Sequence, residues 1–205
     1  MTRPIPTLAL IDRLLDVIES DIAPMTKTGV ADGNKVFGAA LLLKSDLSLV
    51  LAETNNELES PLLHGEMHAL KRYHELPQAT RPAPTDLLFL STHEPCSLCM
   101  SAITWAGFDN FFYLFSHEDS RDAFAIPHDL KILKEVFDVD PGGYRKSNAF
   151  WDSYGIRQLV NELTSELSED ETSVRLARIG AISKQYDGLS SDYQAGKDDN
   201  SIPLN

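Results

Sequence analysis

His64-Gly65-Glu66 and Pro95-Cys96-Ser97-Leu98-Cys99 are the two stretches that decide the interpretation of this chain. Together they supply one imidazole, one carboxylate and two thiols, and both cysteines of the protein lie in the second stretch. Cys96 and Cys99 stand at positions i and i+3, so a helix that begins near Pro95 would place both thiols on one face. Free N–H groups and the dipole at a helix N-terminus favour thiolate over thiol. The spacing therefore predicts a pair of thiolate ligands.

This set of donors is typical of a catalytic zinc site. Zinc binds imidazole and thiolate, and three protein ligands leave a fourth position for water, whereas a structural site normally closes with four. We predict that His64, Cys96 and Cys99 bind one Zn²⁺ per chain. Glu66 lies about 200° round an ideal helix from His64, so we do not expect it to coordinate. A carboxylate near the metal but not bound to it can shuttle protons.

Three other interpretations of these residues stay open at this point. A Cys-x-x-Cys that follows a strand also occurs in thioredoxin-like redox pairs, although that leaves His64 and Glu66 unexplained. His64 and His68, at i and i+4, are similar to a zinc-protease helix, but there Glu follows the first His directly. A purely structural zinc would need a fourth ligand such as His68 or His93.

Strand and helix patterns alternate along the chain. The predicted strands are 36–43, 47–52, 87–90 and 110–115. The predicted helices are 7–20, 63–74, 96–105, 151–167 and 173–186, with a turn-rich segment at 26–34. The first two strands are separated by Lys44-Ser45-Asp46 and form a predicted hairpin. The later alternation predicts an α/β sandwich whose sheet is partly parallel and is joined by crossover helices.

Bulk composition limits the function classes. The 205 residues suit one domain, which we place at residues 1–190, followed by a polar tail at 191–205. The net charge of −13 and a pI near 4.8 argue against a nucleic-acid partner. The chain lacks a long apolar run and the residue order of a secretory signal, and its cysteines are too close to link distant segments. We therefore expect no membrane association and a cytoplasmic location.

The paired motifs carry a resemblance to a known family. His-x-Glu followed by Pro-Cys-x-x-Cys is the signature of zinc deaminases that act on nucleobase rings, and Thr92-His93-Glu94-Pro95-Cys96 is similar to their approach to the metal. The chain resembles the cytidine deaminase-like superfamily over roughly residues 36–137. The resemblance implies a three-layer α-β-α sandwich with a mixed sheet of about five strands. It also implies zinc on His64, Cys96 and Cys99, and Glu66 as the catalytic proton shuttle that helps to release ammonia.

Four substrate contacts are candidates. Relatives hold the substrate with an Asn at the end of the second strand, for which Asn55 is the candidate and Asn56 the alternate; a turn Asn without a ligand is the other interpretation. Gly65 has no side chain, so its backbone N–H can approach a ring closely. Phe37 would wall the pocket or pack in the core. Trp105, with Ala106, resembles the metal helix of guanine deaminases.

The substrate class follows from further resemblances. His-Gly-Glu is similar to fungal cytosine deaminases, whereas Trp105, the stretch 121–125 that runs into Asp129, and the tail with Tyr186 and Tyr193 resemble guanine deaminases. We expect a small-molecule nucleobase or nucleoside, with a guanine-like purine favoured over cytosine, and a homodimer, as in relatives. A tRNA adenosine deaminase-type editor and a non-catalytic, zinc-stabilised member of the fold are the alternatives.

Overall fold

A mixed five-stranded sheet, with the strand order β2-β1-β3-β4-β5, organises the fold. The computed structural model describes residues 4–141, 143–163 and 169–204. The strands are β1 (Gly38–Leu43), β2 (Leu49–Thr54), β3 (Leu87–His93), β4 (Asn110–Phe115) and β5 (Asp152–Gly155). The helices are α1 (Leu8–Val17), α2 (Ala23–Ala31), α3 (Gly65–Glu75), α4 (Ser97–Trp105), α5 (His117–Asp122), α6 (His128–Phe137), α7 (Ile156–Leu163) and α8 (Glu169–Gly196). A π-helical turn at Ile18–Ile22 joins α1 to α2. No helix in the described ranges combines the length and apolar character needed to cross a membrane.

Strand pairing explains why two helices begin at the same edge of the sheet. β1 is antiparallel to both β2 and β3, whereas β3, β4 and β5 are parallel to one another. β2 and β3 therefore run in the same direction, with β1 between them. α3 follows β2 and α4 follows β3, so both helices start where parallel strands end. The predicted hairpin, the mixed sheet and the crossover helices are confirmed.

The sheet separates two apolar layers. Alternate residues of β1 and β3, such as Ala40 and Leu90, pack in the same cluster as residues of α1, α2, α7 and α8. Their neighbours, such as Leu41 and Phe89, pack with residues of α3 and α4 on the opposite face. Side chains that alternate between two buried faces produce the continuous apolar runs seen in the sequence. The predicted three-layer α-β-α sandwich is confirmed.

The segment 26–34 differs from the sequence-based expectation. It is helical through Ala31 rather than turn-rich, and only Gly33, with φ +105°, has the left-handed conformation that follows a helix end. Inside α2, Gly29 lies so close to β2 that an added Cβ would sit 3.2 Å from the Thr54 side chain. Packing against the sheet thus outweighs the low helix propensity of these residues.

The C-terminal third differs as well. Residues 152–155 form the edge strand β5, paired with β4, where the sequence predicted a helix from 151. The helix begins at Ile156, and residues 164–168 lie outside the described part of the chain. α8 extends from Glu169 through the proposed domain boundary at 190/191 to Gly196, well beyond the predicted 173–186. Ile202, in the predicted tail, is buried.

The start of α3 depends on a glycine. A Cβ added to Gly65 would lie 2.6 Å from Cα and 2.9 Å from N of Gly38, and backbone atoms cannot give way easily. We therefore expect Gly65→Ala to lower the free energy of unfolding by about 1–3 kcal/mol. Urea denaturation, with zinc removed from both proteins so that metal affinity does not enter, measures the change.

Gly180→Ala is the matched control. A Cβ at this exposed position in α8 meets no atom within 4 Å. Alanine should therefore raise stability by about 0.5–1 kcal/mol. If Gly65→Ala were as stable as the unmodified protein, the close approach of α3 to β1 would be wrong.

Candidate active site and metal centre

The three predicted metal ligands meet at the shared edge of the sheet. His64 immediately precedes α3, Cys96 occupies the N-cap of α4, and Cys99 lies in the first turn of α4. Nδ1 of His64 is 3.5 Å from Sγ of Cys96 and 3.7 Å from Sγ of Cys99. All three donor atoms lie within 4.8 Å of one another.

These separations fit a tetrahedral zinc ion. Zn–N and Zn–S bonds of about 2.0 and 2.3 Å at tetrahedral angles require an N···S distance of about 3.5 Å. The two observed His64–cysteine distances agree with this value. Neither His68 nor His93 belongs to this cluster of donor atoms among the residues that the structure describes. The three donor atoms thus fit a zinc ion with three protein ligands.

Electrostatics at the triad favour a cation. Hydrogen bonding from Cys99 holds the pKa of Cys96 well below its usual range, whereas burial raises the pKa of Cys99. Burial disfavours the charged form of His64, but the Cys96 thiolate and the carboxylate of Glu66 outweigh it and raise the pKa of His64 to about 9. Negative charge concentrated around an imidazole is neutralised well by a dication.

Glu66 lies beside the triad but does not belong to it. Its side chain, in the first turn of α3, is buried. Oε1 accepts a hydrogen bond of 2.7 Å from the hydroxyl of Ser91, and Oε2 lies 3.4 Å from Sγ of Cys99. Burial and the charge on Cys96 raise the pKa of this carboxyl. A carboxyl with a raised pKa at this place is suited to carry protons.

A buried hydrogen-bond network holds the turn that carries Cys96. Glu94 accepts from the hydroxyl of Tyr144, the ammonium group of Lys146 and, at 3.0 Å, the backbone N–H of His117. The Nε2–H of His117 in turn donates to the carbonyl of Pro95 at 3.0 Å. The network ties the end of β3 to α5 and to the segment before β5, and so it fixes the position of the cysteine ligand.

A cavity of about 350 Å³ opens over the metal ligands. Its apolar wall consists of Phe37, Pro61, Leu62, Leu98, Ile126, Ile132, Pro203 and Leu204. Its polar groups are Lys35, Glu57, His64, Cys96, Ser97, His128 and Asp129. The last two described residues of the chain therefore form part of this cavity. Its size and mainly apolar lining are those of a small-molecule site.

The predicted substrate contacts lie in different places. Phe37 lines the cavity and packs edge-on against His93. Asn55 is buried next to the metal site: its Oδ1 accepts from the backbone N–H of Gly65 at 2.6 Å, and its Nδ2 donates to Glu57 at 2.9 Å. The Gly65 N–H that we expected to face a ring is thus bonded to Asn55. Trp105 does not join the group, because it is 91% exposed at the far end of α4.

Sequence reasoning missed two charged residues of the cavity and assigned no contact to a third. Lys35 and Glu57, the two that were missed, form a buried ion pair of 2.8 Å. Asp129, noted only for its resemblance to guanine deaminases, lies half-buried at the start of α6. Burial raises the pKa of Asp129, and the charge on Cys96 adds to the effect. Lys35 and Glu57 are 22 positions apart in loops beside β1 and β2, so no periodic pattern links them. The only sequence signal is a charge directly before or after a buried segment.

Comparisons with known proteins agree with this geometry. The model of the cytidine and deoxycytidylate deaminase zinc-binding region matches residues 19–115. The fold is similar to guanine deaminase from Nitrosomonas europaea, with a TM-score of 0.51 and 16% identity over 92% of this chain and 96% of that chain. Guanine deaminase from Bacillus subtilis has a TM-score of 0.49 and 24% identity over 64% of this chain and 77% of that one. A deaminase that edits A34 of tRNA has a TM-score of 0.46 and 16% identity over 65% of this chain and 92% of that chain. No curated protein sequence matches the chain.

The matched region contains the three metal ligands and the free carboxylate. Residues 19–115 extend from the helices before β1 to the end of β4 and include His64, Glu66, Cys96 and Cys99. The three-layer fold, the ligand triad and the free carboxylate stand in the arrangement that a zinc deaminase requires. Over residues 19–115 this chain is similar to the zinc-binding region of cytidine and deoxycytidylate deaminases, and its fold is similar to that of a guanine deaminase.

Proposed function

We propose that this protein removes the amino group of a free nucleobase or nucleoside by hydrolysis, with a guanine-like purine favoured over cytosine. One observation carries the proposal: the carboxylate of Glu66 is held against the three metal donors without being one of them. The mainly apolar cavity above the donors would accept a flat ring.

The residues of the chain account for each proton in such a reaction. Zinc held by His64, Cys96 and Cys99 would supply an activated water at neutral pH. Glu66 is placed to accept the proton that this water loses as its oxygen bonds to the amino-bearing carbon. Glu66 would pass this proton to the ring nitrogen and would then carry the second proton, from the new hydroxyl group on that carbon, to the departing amine. The carbon–nitrogen bond breaks, ammonia leaves, and a carbonyl replaces the amine.

The substrate preference rests on the cavity and on the resemblance to guanine deaminases. Phe37 and the aliphatic wall would pack against the faces of a ring. Asp129, whose pKa burial raises, would bond to a ring N–H at the edge. We propose that Asn55 acts by orienting Gly65 and Glu57. The guanine deaminase from N. europaea shares the fold over 92% of this chain. The net charge of −13 weighs against a polynucleotide substrate.

We also propose a homodimer. Trp105 and Phe150 are 91% and 66% exposed, and burial of such side chains against a second copy would be favourable. Light scattering should give twice the chain mass, and Trp105→Glu should shift the distribution towards monomer. A monomer at all concentrations would contradict this assembly.

Replacement of Glu66 separates catalysis from metal binding. We expect Glu66→Gln to retain one zinc per chain but to lower kcat by about 10²–10⁴-fold, because the proton carrier is lost. Ammonia release from a panel of aminated bases and nucleosides, together with zinc analysis by mass spectrometry, measures both properties.

Two variants complete that experiment. Cys99→Ala should lose zinc and activity together, since Cys99 is a ligand. Glu59→Gln changes an exposed carboxylate outside the cavity and should leave both unchanged. Full activity of Glu66→Gln would exclude the mechanism.

The hydroxyl of Ser91 should matter through Glu66. Ser91 is fully buried, and its hydrogen bond to Oε1 orients the carboxylate. A hydrogen bond to a charged group contributes about 1.5–3 kcal/mol, so Ser91→Ala should lower kcat at least about 10-fold with a smaller change in KM. Ser91→Thr keeps the hydroxyl and should recover most of kcat. Equal kcat values for the alanine and threonine variants would show that the bond does not position Glu66.

A further inference from the structure

Lys35 presents a buried ammonium group at the wall of the cavity. It stands two residues before Phe37, and its side chain is only 7% exposed. Nζ donates to Oε1 of Glu57 at 2.8 Å. An ammonium group has three N–H donors, and Glu57 is the one hydrogen-bonding acceptor that the described residues offer it. Donors left unmet in a buried site are costly, so a molecule in the cavity that offers an acceptor would bind favourably.

Glu57 is fully engaged and holds the ammonium in place. Its side chain is 1% exposed. Besides the ammonium, it accepts from the backbone N–H of Lys35 at 3.1 Å and from Nδ2 of Asn55 at 2.9 Å. The position of Lys35 is thereby tied, through Asn55, to Gly65 and the start of α3. The donor is preorganised at the metal end of the fold rather than on a mobile side chain.

The charge balance of the wall selects the kind of acceptor. Glu57 already neutralises Lys35, and Asp129 adds a second carboxyl group to the same cavity. A phosphate or carboxylate on the ligand would therefore meet the Glu57 carboxylate without a surplus of positive charge on the Lys35–Glu57 pair. A neutral carbonyl oxygen accepts the hydrogen bond without this repulsion, and it suits a lining that is otherwise mainly apolar.

We propose that Lys35 is a specificity-determining residue, which selects amino-heterocycles that carry a ring carbonyl oxygen by donating an N–H to that oxygen. The inference rests on the proposed deaminase function and narrows it. Oxo-purines and oxo-pyrimidines, such as guanine and cytosine, are accepted, and rings of the adenine type, which lack the oxygen, are disfavoured. A site built to donate a hydrogen bond discriminates strongly against an analogue without the acceptor.

Matched substrate pairs test the inference on the zinc-loaded protein. Guanine and 2-aminopurine differ by the carbonyl oxygen, as do cytosine and 4-aminopyrimidine. For each pair, the ratio of kcat/KM with the oxygen to kcat/KM without it is measured by ammonia release. Lys35→Met should reduce this ratio about 10- to 100-fold, mainly through loss of activity on the oxo compound. Calorimetric titration with hypoxanthine and with purine, which carry no amino group to remove, should show the same loss of preference in binding.

Two further variants control for folding and for the loss of a positive charge. Lys35→Met leaves Glu57 buried without its partner, so Lys35→Met combined with Glu57→Gln provides a neutral wall that still lacks the ammonium. Lys35→Met and the double variant should each retain one zinc per chain and show the same reduced ratio of kcat/KM values. Lys71→Met removes an exposed lysine that pairs with Glu59 outside the cavity, and it should leave the ratio unchanged.

The outcomes distinguish the two proposals. If the zinc-loaded protein releases ammonia from no member of the panel, the proposed function fails. If it is active but the ratio in the two Lys35 variants equals that in Lys71→Met, the role of Lys35 is overturned while the deaminase function stands. A reduced ratio in both Lys35 variants supports the selection of a ring carbonyl.

Discussion

The site depends on one constraint of strand direction. Because β1 is antiparallel to both of its neighbours, β2 and β3 run the same way with one strand between them. The helices that follow them, α3 and α4, therefore begin at one edge of the sheet. The contact of Gly65 with Gly38 brings α3 down onto β1. His64 and the two cysteines can share a metal only because these two helix starts are held together.

The buried charged side chains around that edge have charged or hydrogen-bonding partners. The thiolates of Cys96 and Cys99 would together balance the charge of a bound dication, with the imidazole of His64 as a neutral ligand. Glu94 is matched by Lys146 and the Tyr144 hydroxyl, and Glu57 by Lys35. A buried charge is stable only when it is paired and hydrogen-bonded. These pairs place rigid polar groups on both sides of an otherwise apolar cavity.

Sequence patterns predicted the central part of the fold well and its ends poorly. β4 matches its predicted bounds, and α3 and α4 begin within two residues of theirs, because apolar runs, Pro95 and Gly107 are local signals. The helical character of Gly29 and the strand at 152–155 were not predicted. Both result from contact with distant strands, β2 and β4, which outweigh local propensity. The role of Trp105 as a substrate contact found no support in its exposed position.

The sequence by itself determined the chemistry of the centre: two thiols, an imidazole and a free carboxylate at spacings that admit zinc. Tertiary structure alone decided what surrounds it. The Ser91–Glu66 bond, the Lys35–Glu57 pair and the return of Pro203 and Leu204 to the cavity each join segments far apart in the chain. The physical reason is that the short spacing of the ligand residues in the sequence determines which donors one helix turn can present. The packing of the sheet sets which distant groups face those donors.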